Sequence, residues 1–264
     1  MDKISRFGII VTKEIQSILA SYNIEVSEGY QVFEINEKSE NYPLIKSELE
    51  KYEPLHYSIA KFSKKEIQNS KYLKISTTSH IGYPQPEDDF QYINKSFNLE
   101  KYCDNCGCGA VQNSPLRLKS SIKLRKWHFS QFHWIFDTLI TTKEVYGELS
   151  MVFQLDYMPI LKYKKEEEFE NIIQIFPTKE VELEMEDNKY ELCPKCGRKK
   201  YLPIIEDFFP KIKSDEKELS FAYSKQCFGG GGIDCFKALI INNSFYKIIK
   251  DKKYKGLVFK PLKE

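Results

Sequence analysis

Long apolar runs are missing from this chain. No stretch approaches the run of about 18 apolar residues that reads as a membrane-spanning helix, so none is expected. The opening residues, MDKISRFGIIVTKEIQ, lack the apolar core and small-residue cleavage site of a secretory signal. A cytoplasmic location is therefore expected, where thiols stay reduced. Net charge is missing too: 40 Lys and Arg face 38 Asp and Glu, leaving +2. That disfavours a generally basic nucleic-acid binder and an acidic tail protein, while leaving room for local patches. Histidine is scarce, with four in 264 residues. There is no serine nucleophile elbow, no kinase motif set and no singled-out pair of carboxylates. No catalytic residue, no small-molecule substrate and no enzymatic activity are expected.

What the chain does have is apolar and aromatic content sufficient for one sizeable core or two small ones, 41% apolar with 17 Tyr and 18 Phe. It also has seven cysteines, an odd number that suits thiols or metal ligands better than a disulfide framework. Four of them form two copies of Cys-x-x-Cys-Gly, "CDNCG" at residues 103–107 and "CPKCG" at 193–197. A Cys-x-x-Cys turn sets two thiolates at the span of a tetrahedral ion, and a second turn completes the shell. Glycine after the second cysteine lets the knuckle bend through positive φ without strain. Cys103, Cys106, Cys193 and Cys196 thus make one four-sulfur site, with structural zinc expected and iron compatible with the same cage. The long spacer departs from the usual short one, but a metal ion responds to spatial proximity. A redox motif would place Cys-x-x-Cys at the start of a helix, and neither pair clearly opens one. Cys108, Cys227 and Cys235 are each open to a role as a spare ligand but read better as small buried hydrophobes. "FGGGGID", between the last two, lacks the phosphate-loop ending and reads as a tight or mobile turn.

Three segments resemble one another: "GIIVTKEIQSIL" (8–19), "TLITTKEVYGEL" (138–149) and "ALIINNSFYKII" (238–249). Each reads as strand, polar cap, then helix, with a further strand after it. In the second, Thr141 and Glu144 fit a capping box. The second and third copies each follow a knuckle; the first does not. A soft boundary is expected near Leu99, giving an N-terminal α+β region (1–98) and a double-knuckle region (99–264), or one compact unit. The fold class is α+β, with mixed sheets, repeated strand–helix–strand units and a zinc-ribbon-like site.

Residues 116–126 alternate as a strand with Arg117, Lys119, Lys123 and Arg125 on its polar face. Residues 181–186 alternate with Glu182, Glu184 and Glu186 on theirs. The two strands either pair side by side or lie in different sheets with each charged face free for solvent or a partner. "KWHFSQFHW" (126–134) gathers both tryptophans and two histidines and suits either a core or a recognition loop.

The two Cys-x-x-Cys-Gly pairs, "ALIINNSFYKII" and the closing "YKGLVFKPL" resemble the double-CXXCG-motif family of bacterial immunity proteins. The resemblance runs from about Lys101 to the C-terminus and matches at Cys103, Cys106, Gly107, Cys193, Cys196 and Gly197. Asn242 stands where family members usually carry Ser, the glycine run is a departure, and the first hundred residues carry no matching motif. The resemblance implies a cytoplasmic antidote that binds a cognate toxin protein. The alternative is a zinc-ribbon nucleic-acid binder, resting on the basic face, and after it a thiol redox protein.

Overall fold

The computed structural model describes residues 1–119, 124, 126–214 and 219–264. It is α+β, and it divides into two compact units: residues 1–66 with 204–208, and residues 67–203 with 209–264. The division falls at Glu66, well before Leu99. The reason is the strand Tyr72–Thr77, whose Leu73 and Ile75 are buried in the core of the larger unit.

The smaller unit is a three-stranded antiparallel sheet, β2 (Gly29–Asn36), β1 (Asp2–Val11), β3 (Leu55–Lys61), with helices α1 (Lys13–Ser21) and α2 (Tyr42–Glu50). Phe7, Ile9 and Val11 alternate along β1 and pack with Ile15, Leu19, Ile45 and Leu49 of the helices. Ser5 shares that inner face, where its Oγ lies 2.8 Å from Glu37, 2.9 Å from Tyr42 and 3.0 Å from His56. Ser5 is fully buried, so this serine–histidine contact is a satisfied core network and offers no accessible nucleophile.

Helix α3 (Lys64–Asn69) spans the division. The larger unit then runs β4 (Tyr72–Thr77), a 3₁₀ turn (Asp88–Phe90), α4 (Tyr92–Ser96), β5 (Phe97–Asn98), β6 (Val111–Gln112), β7 (Arg117–Leu118), β8 (Phe129–Phe132), β9 (Ile135–Thr142), α5 (Lys143–Ser150), β10 (Asp156–Lys162) and β11 (Glu168–Phe176). It continues with β12 (Lys179–Val181), β13 (Tyr190–Leu192), β14 (Lys199–Tyr201), β15 (Phe221–Phe228), β16 (Phe236–Asn242), α6 (Asn243–Asp251) and β17 (Leu257–Pro261). One mixed sheet has the order β7-β10-β11-β9-β8; the other has β13-β14-β15-β16-β4-β17, with β12 also on β15.

The second and third repeat copies share one plan. A hairpin (β8–β9; β15–β16) leads into a cap, a helix (α5; α6) and a strand (β10; β17). In each sheet a further strand lies between the last two: β11, which follows β10 directly, between β9 and β10, and β4, from far earlier in the chain, between β16 and β17. The registers correspond. Thr142 faces Ile172 where Asn242 faces Tyr72, and Pro159 faces Ile173 where Pro261 faces Leu73. β4 precedes the first knuckle and β11 the second. Read from those leading strands, strand–knuckle–hairpin–helix–strand occurs twice, and each leading strand completes the other copy's sheet. The shared core joins both copies, with Phe153 stacked on Phe245 at 5.0 Å.

The first copy keeps only the local motif, since β1 and β2 pair directly. In all three copies the cap side chain accepts the N–H three residues on: Ile15 to Thr12, Val145 to Thr142, Phe245 to Asn242. Each helix buries the third and seventh positions after its cap: Ile15 and Leu19, Val145 and Leu149, Phe245 and Ile249. The second cap is therefore Thr142 and not Thr141. Strand alternation turns Thr141 inward, where its hydroxyl donates to the His128 carbonyl at 2.8 Å.

The two alternating segments contribute to different sheets but form little strand among the described residues: Arg117–Leu118 of the first make β7, parallel to β10, and of the second Val181 ends β12, parallel to β15, while Leu183 makes an isolated bridge to Ile212. Residues 120–123 and 125 of the first fall outside the described residues. Among the described residues, four of these charged side chains are paired. Arg117 forms a bidentate pair with Glu166 at 2.8 and 2.7 Å, and Lys119 pairs with Glu87. Glu182 pairs with Lys213 at 3.1 Å and Glu184 with Lys211 at 3.4 Å.

Thr142→Ala and Asn242→Ala are each expected to lower stability by about 1 kcal/mol, the usual worth of a side-chain cap. Urea unfolding of the two variants checks this; a loss for one and none for the other would break the equivalence of the copies.

Candidate metal centre

Each knuckle sits at the end of a short antiparallel ladder, the first between β5 and β6 and the second between β13 and β14. The two turns are built alike. Gly107 N–H donates to the Cys103 carbonyl at 2.8 Å and Gly197 N–H to that of Cys193 at 2.9 Å. Cys103 N–H reaches the Cys108 carbonyl at 2.9 Å and Cys193 N–H that of Arg198 at 3.0 Å. Gly107 and Gly197 have φ of +77° and +70°, the left-handed region that glycine enters without strain. Nothing crowds a Cβ at Gly197, so there the backbone angle alone selects glycine. At Gly107 a Cβ would also lie 1.9 Å from the Ile233 carbonyl oxygen.

All four predicted ligands come together. Cys103 Sγ lies 3.8 Å from Cys193 Sγ and Cys106 Sγ 3.7 Å from Cys196 Sγ, although the members of each pair stand 90 positions apart. All four sulfurs lie within 4.8 Å of one another. A tetrahedral ion bound at about 2.3 Å holds its sulfurs roughly 3.8 Å apart, so the cage has the size for one ion. Cys103, Cys106 and Cys193 are buried, and Cys196 is at the solvent edge.

Contacts between the knuckles hold the cage closed. Asn105 donates to Cys193 Sγ at 3.4 Å, the kind of outer contact that orients a thiolate. Lys195 pairs with Asp104 at 2.6 Å, and Arg198 donates to the carbonyls of Lys101 at 2.6 Å and Cys108 at 3.0 Å. The thiols do not ionise evenly. The Cys196 backbone N–H, helped by Asn105, holds Cys193 down to about 6, whereas burial pushes Cys106 up to about 11. A cation among the four sulfurs is what allows all of them to be thiolates together.

A second thiol group lies beside the first; the sequence marks its three cysteines as possible spare ligands but not that they meet. The sulfurs of Cys108, Cys227 and Cys235 also lie within 4.8 Å of one another, with Cys235 3.3 Å from Cys108. The available signals were Cys108 two places past a ligand and two cysteines bracketing the glycine run. The aromatic stretch 126–134 divides. Phe129 and Phe132 enter the core, while His133 stacks on Tyr83 at 4.5 Å and Trp134 contacts Tyr83 and Phe90 in a half-exposed cluster. Among the described residues, no helix is long and apolar enough to cross a membrane.

Compared with known proteins, the chain matches no family model and no curated protein.

Cys196→Ser is expected to remove one metal ion per chain and to lower the unfolding free energy by at least about 3 kcal/mol, because structural-site binding of roughly 10 kcal/mol or more is coupled to folding. Elemental analysis with thermal unfolding checks both. Acidification has the same direction of effect, since falling pH returns protons to the thiolates and releases the ion; unchanged metal content in the variant would refute the site.

Proposed function

We propose that the protein is an immunity-type antidote. It binds a cognate bacterial toxin stoichiometrically in the cytoplasm, without turnover, and one zinc ion shared by the two knuckles stabilises the larger unit. The support from the metal centre is architectural. Two separate knuckles converge with a metal-sized gap, as the double-CXXCG resemblance implies, and the site is closed by four protein sulfurs, with no position left for a substrate.

The observation that carries partner binding is the open face of the smaller unit. Helices cover one side of its sheet. On the other, Ile10 faces Tyr30, Gly8 faces Val32 and Leu55, and Arg6 faces Glu34 and Tyr57. Ile10, Tyr30, Val32, Leu55 and Tyr57 are all exposed, Ile10 and Leu55 by about two thirds. The Tyr30 hydroxyl lies over Gly8, 2.7 Å from where a Cβ would stand, so the missing side chain lets the ring lie flat on the sheet. A contiguous apolar centre with a charged rim, Arg6 and the Lys61–Glu34 pair at 2.7 Å, has the composition of a protein-binding patch. Aromatic and apolar anchors at its centre would supply most of the affinity.

The nucleic-acid reading loses support from the same structure. Arg117 and Lys119 spend their charge on Glu166 and Glu87, which leaves them poor phosphate contacts.

Co-expression with the toxin encoded beside its gene tests the proposal. Wild type should co-purify at 1:1 and protect the cell. Tyr30→Asp and Leu55→Asp should each weaken binding by roughly 30-fold or more, the effect of removing a 2 kcal/mol anchor, and protection should fall with binding. Protection that survives loss of binding would overturn the antidote reading.

A further inference from the structure

The three cysteines outside the four-sulfur cage meet as the products of three different segments. Cys108 follows the first knuckle, Cys227 lies near the end of β15, and Cys235 directly precedes β16. Cys108 is 1% exposed, and the other two are half-buried. The glycine run that links β15 to β16 is what folds Cys235 back beside Cys227. At Gly229 a Cβ would stand 2.0 Å from the Asp234 carbonyl oxygen, so only glycine allows the loop to close this tightly. At Gly107 the absent side chain admits the Ile233 carbonyl and brings Cys235 Cβ to 3.1 Å from the vacant Cβ position. The residue that bends the first knuckle therefore also seats the second thiol group.

Lys200 fixes the arrangement. It is 3% exposed, and its ammonium donates to the carbonyls of Gly232 at 2.6 Å, Asp234 at 3.2 Å and Cys106 at 3.4 Å. One side chain thus ties the glycine loop to the first knuckle. These partners are all neutral carbonyls, and among the described residues Lys200 forms no ion pair. A buried charge without an opposite charge is costly. In β14 it stands opposite Cys227, between two groups of sulfurs that become anionic when they bind metal.

We propose that Cys108, Cys227 and Cys235 form a second metal site, a three-thiolate site for a soft thiophilic cation of the zinc or copper(I) class, which staples the β15–β16 loop to the first knuckle. The donor set fits that class: thiolates select soft ions, while carboxylate and carbonyl oxygens suit magnesium and calcium. The geometry fits as well. Sulfurs bound at about 2.3 Å in a trigonal or tetrahedral arrangement stand roughly 3.8–4.0 Å apart, and these three lie within 4.8 Å of one another, with Cys235 and Cys108 at 3.3 Å. Binding releases the thiol protons and involves no change of oxidation state. Three protein ligands leave a coordination position for water or an added thiol, so this ion exchanges more readily than the one in the closed cage. The Lys200 ammonium supplies part of the counter-charge for both centres.

The test is a metal titration of the full-length chain, stripped of metal and kept reduced. Zinc and copper(I) are added in separate arms, and cadmium-113 NMR identifies the sites. Wild type should take up two ions and give two cadmium resonances. Cys235→Ser should lose one ion and one resonance while keeping the four-sulfur signal. Cys196→Ser should lose the other resonance, so failure of the four-cysteine site and failure of this one are read separately. Should a variant not fold, the wild-type stoichiometry still decides. Uptake of a single ion in both arms, or two ions with the second retained in Cys235→Ser, would overturn the three-cysteine site.

Discussion

The junction between the two knuckles depends on four sulfurs from two distant turns sharing one small volume. Each turn alone is a short ladder with a bend, too little to bury anything. Four thiols packed together without a cation ionise unevenly, with Cys193 held down by its hydrogen bonds and Cys106 pushed up by burial. With a cation they become a closed, rigid junction. Around it Arg198, Lys195 and Lys200 all reach from the second knuckle or its following strand to the first, so the hydrogen-bonding groups there repeat the connection the sulfurs make.

The exchange of β4 and β11 explains why a site so dispersed in sequence can be compact in space. Each copy of the strand–knuckle–hairpin–helix–strand plan needs a strand from the other to fill its sheet, and the helices α5 and α6 share one core. The copies therefore cannot separate without exposing Leu73, Ile75, Ile173 and Ile175, all buried. Entwined sheets bring the knuckles together, and an ion held by the four sulfurs would lock a proximity that the apolar cores have already created. Such exchanged pairings close long loops and tend to form slowly.

Legibility followed the range of the interactions. The knuckles, their glycines and the three strand–cap–helix segments depend on neighbours within a few residues, and residue type and spacing were enough to place them. The cap moved by one residue because β9 keeps its alternation through Thr141, which only the pairing with β8 decides. The contact division at Glu66 has no local sequence signal, because β4 pairs with strands more than 160 positions later in the chain. The second thiol group was hidden for the same reason. Cys108 meets Cys235 across 127 positions, and no local pattern announces that. The basic and acidic segments were read as each other's partners or as free faces because their actual partners, Glu166, Glu87, Lys211 and Lys213, come from segments that sequence spacing does not connect.

The most direct test of the central claim is X-ray absorption at the metal edge of the purified, reduced protein. A shell dominated by sulfur near 2.3 Å, without histidine scattering, is expected, and it should weaken when Cys103 or Cys193 is changed to Ser. Protein that carries no metal when prepared reduced, or a shell dominated by oxygen and nitrogen, would contradict a metal ion held between the two knuckles.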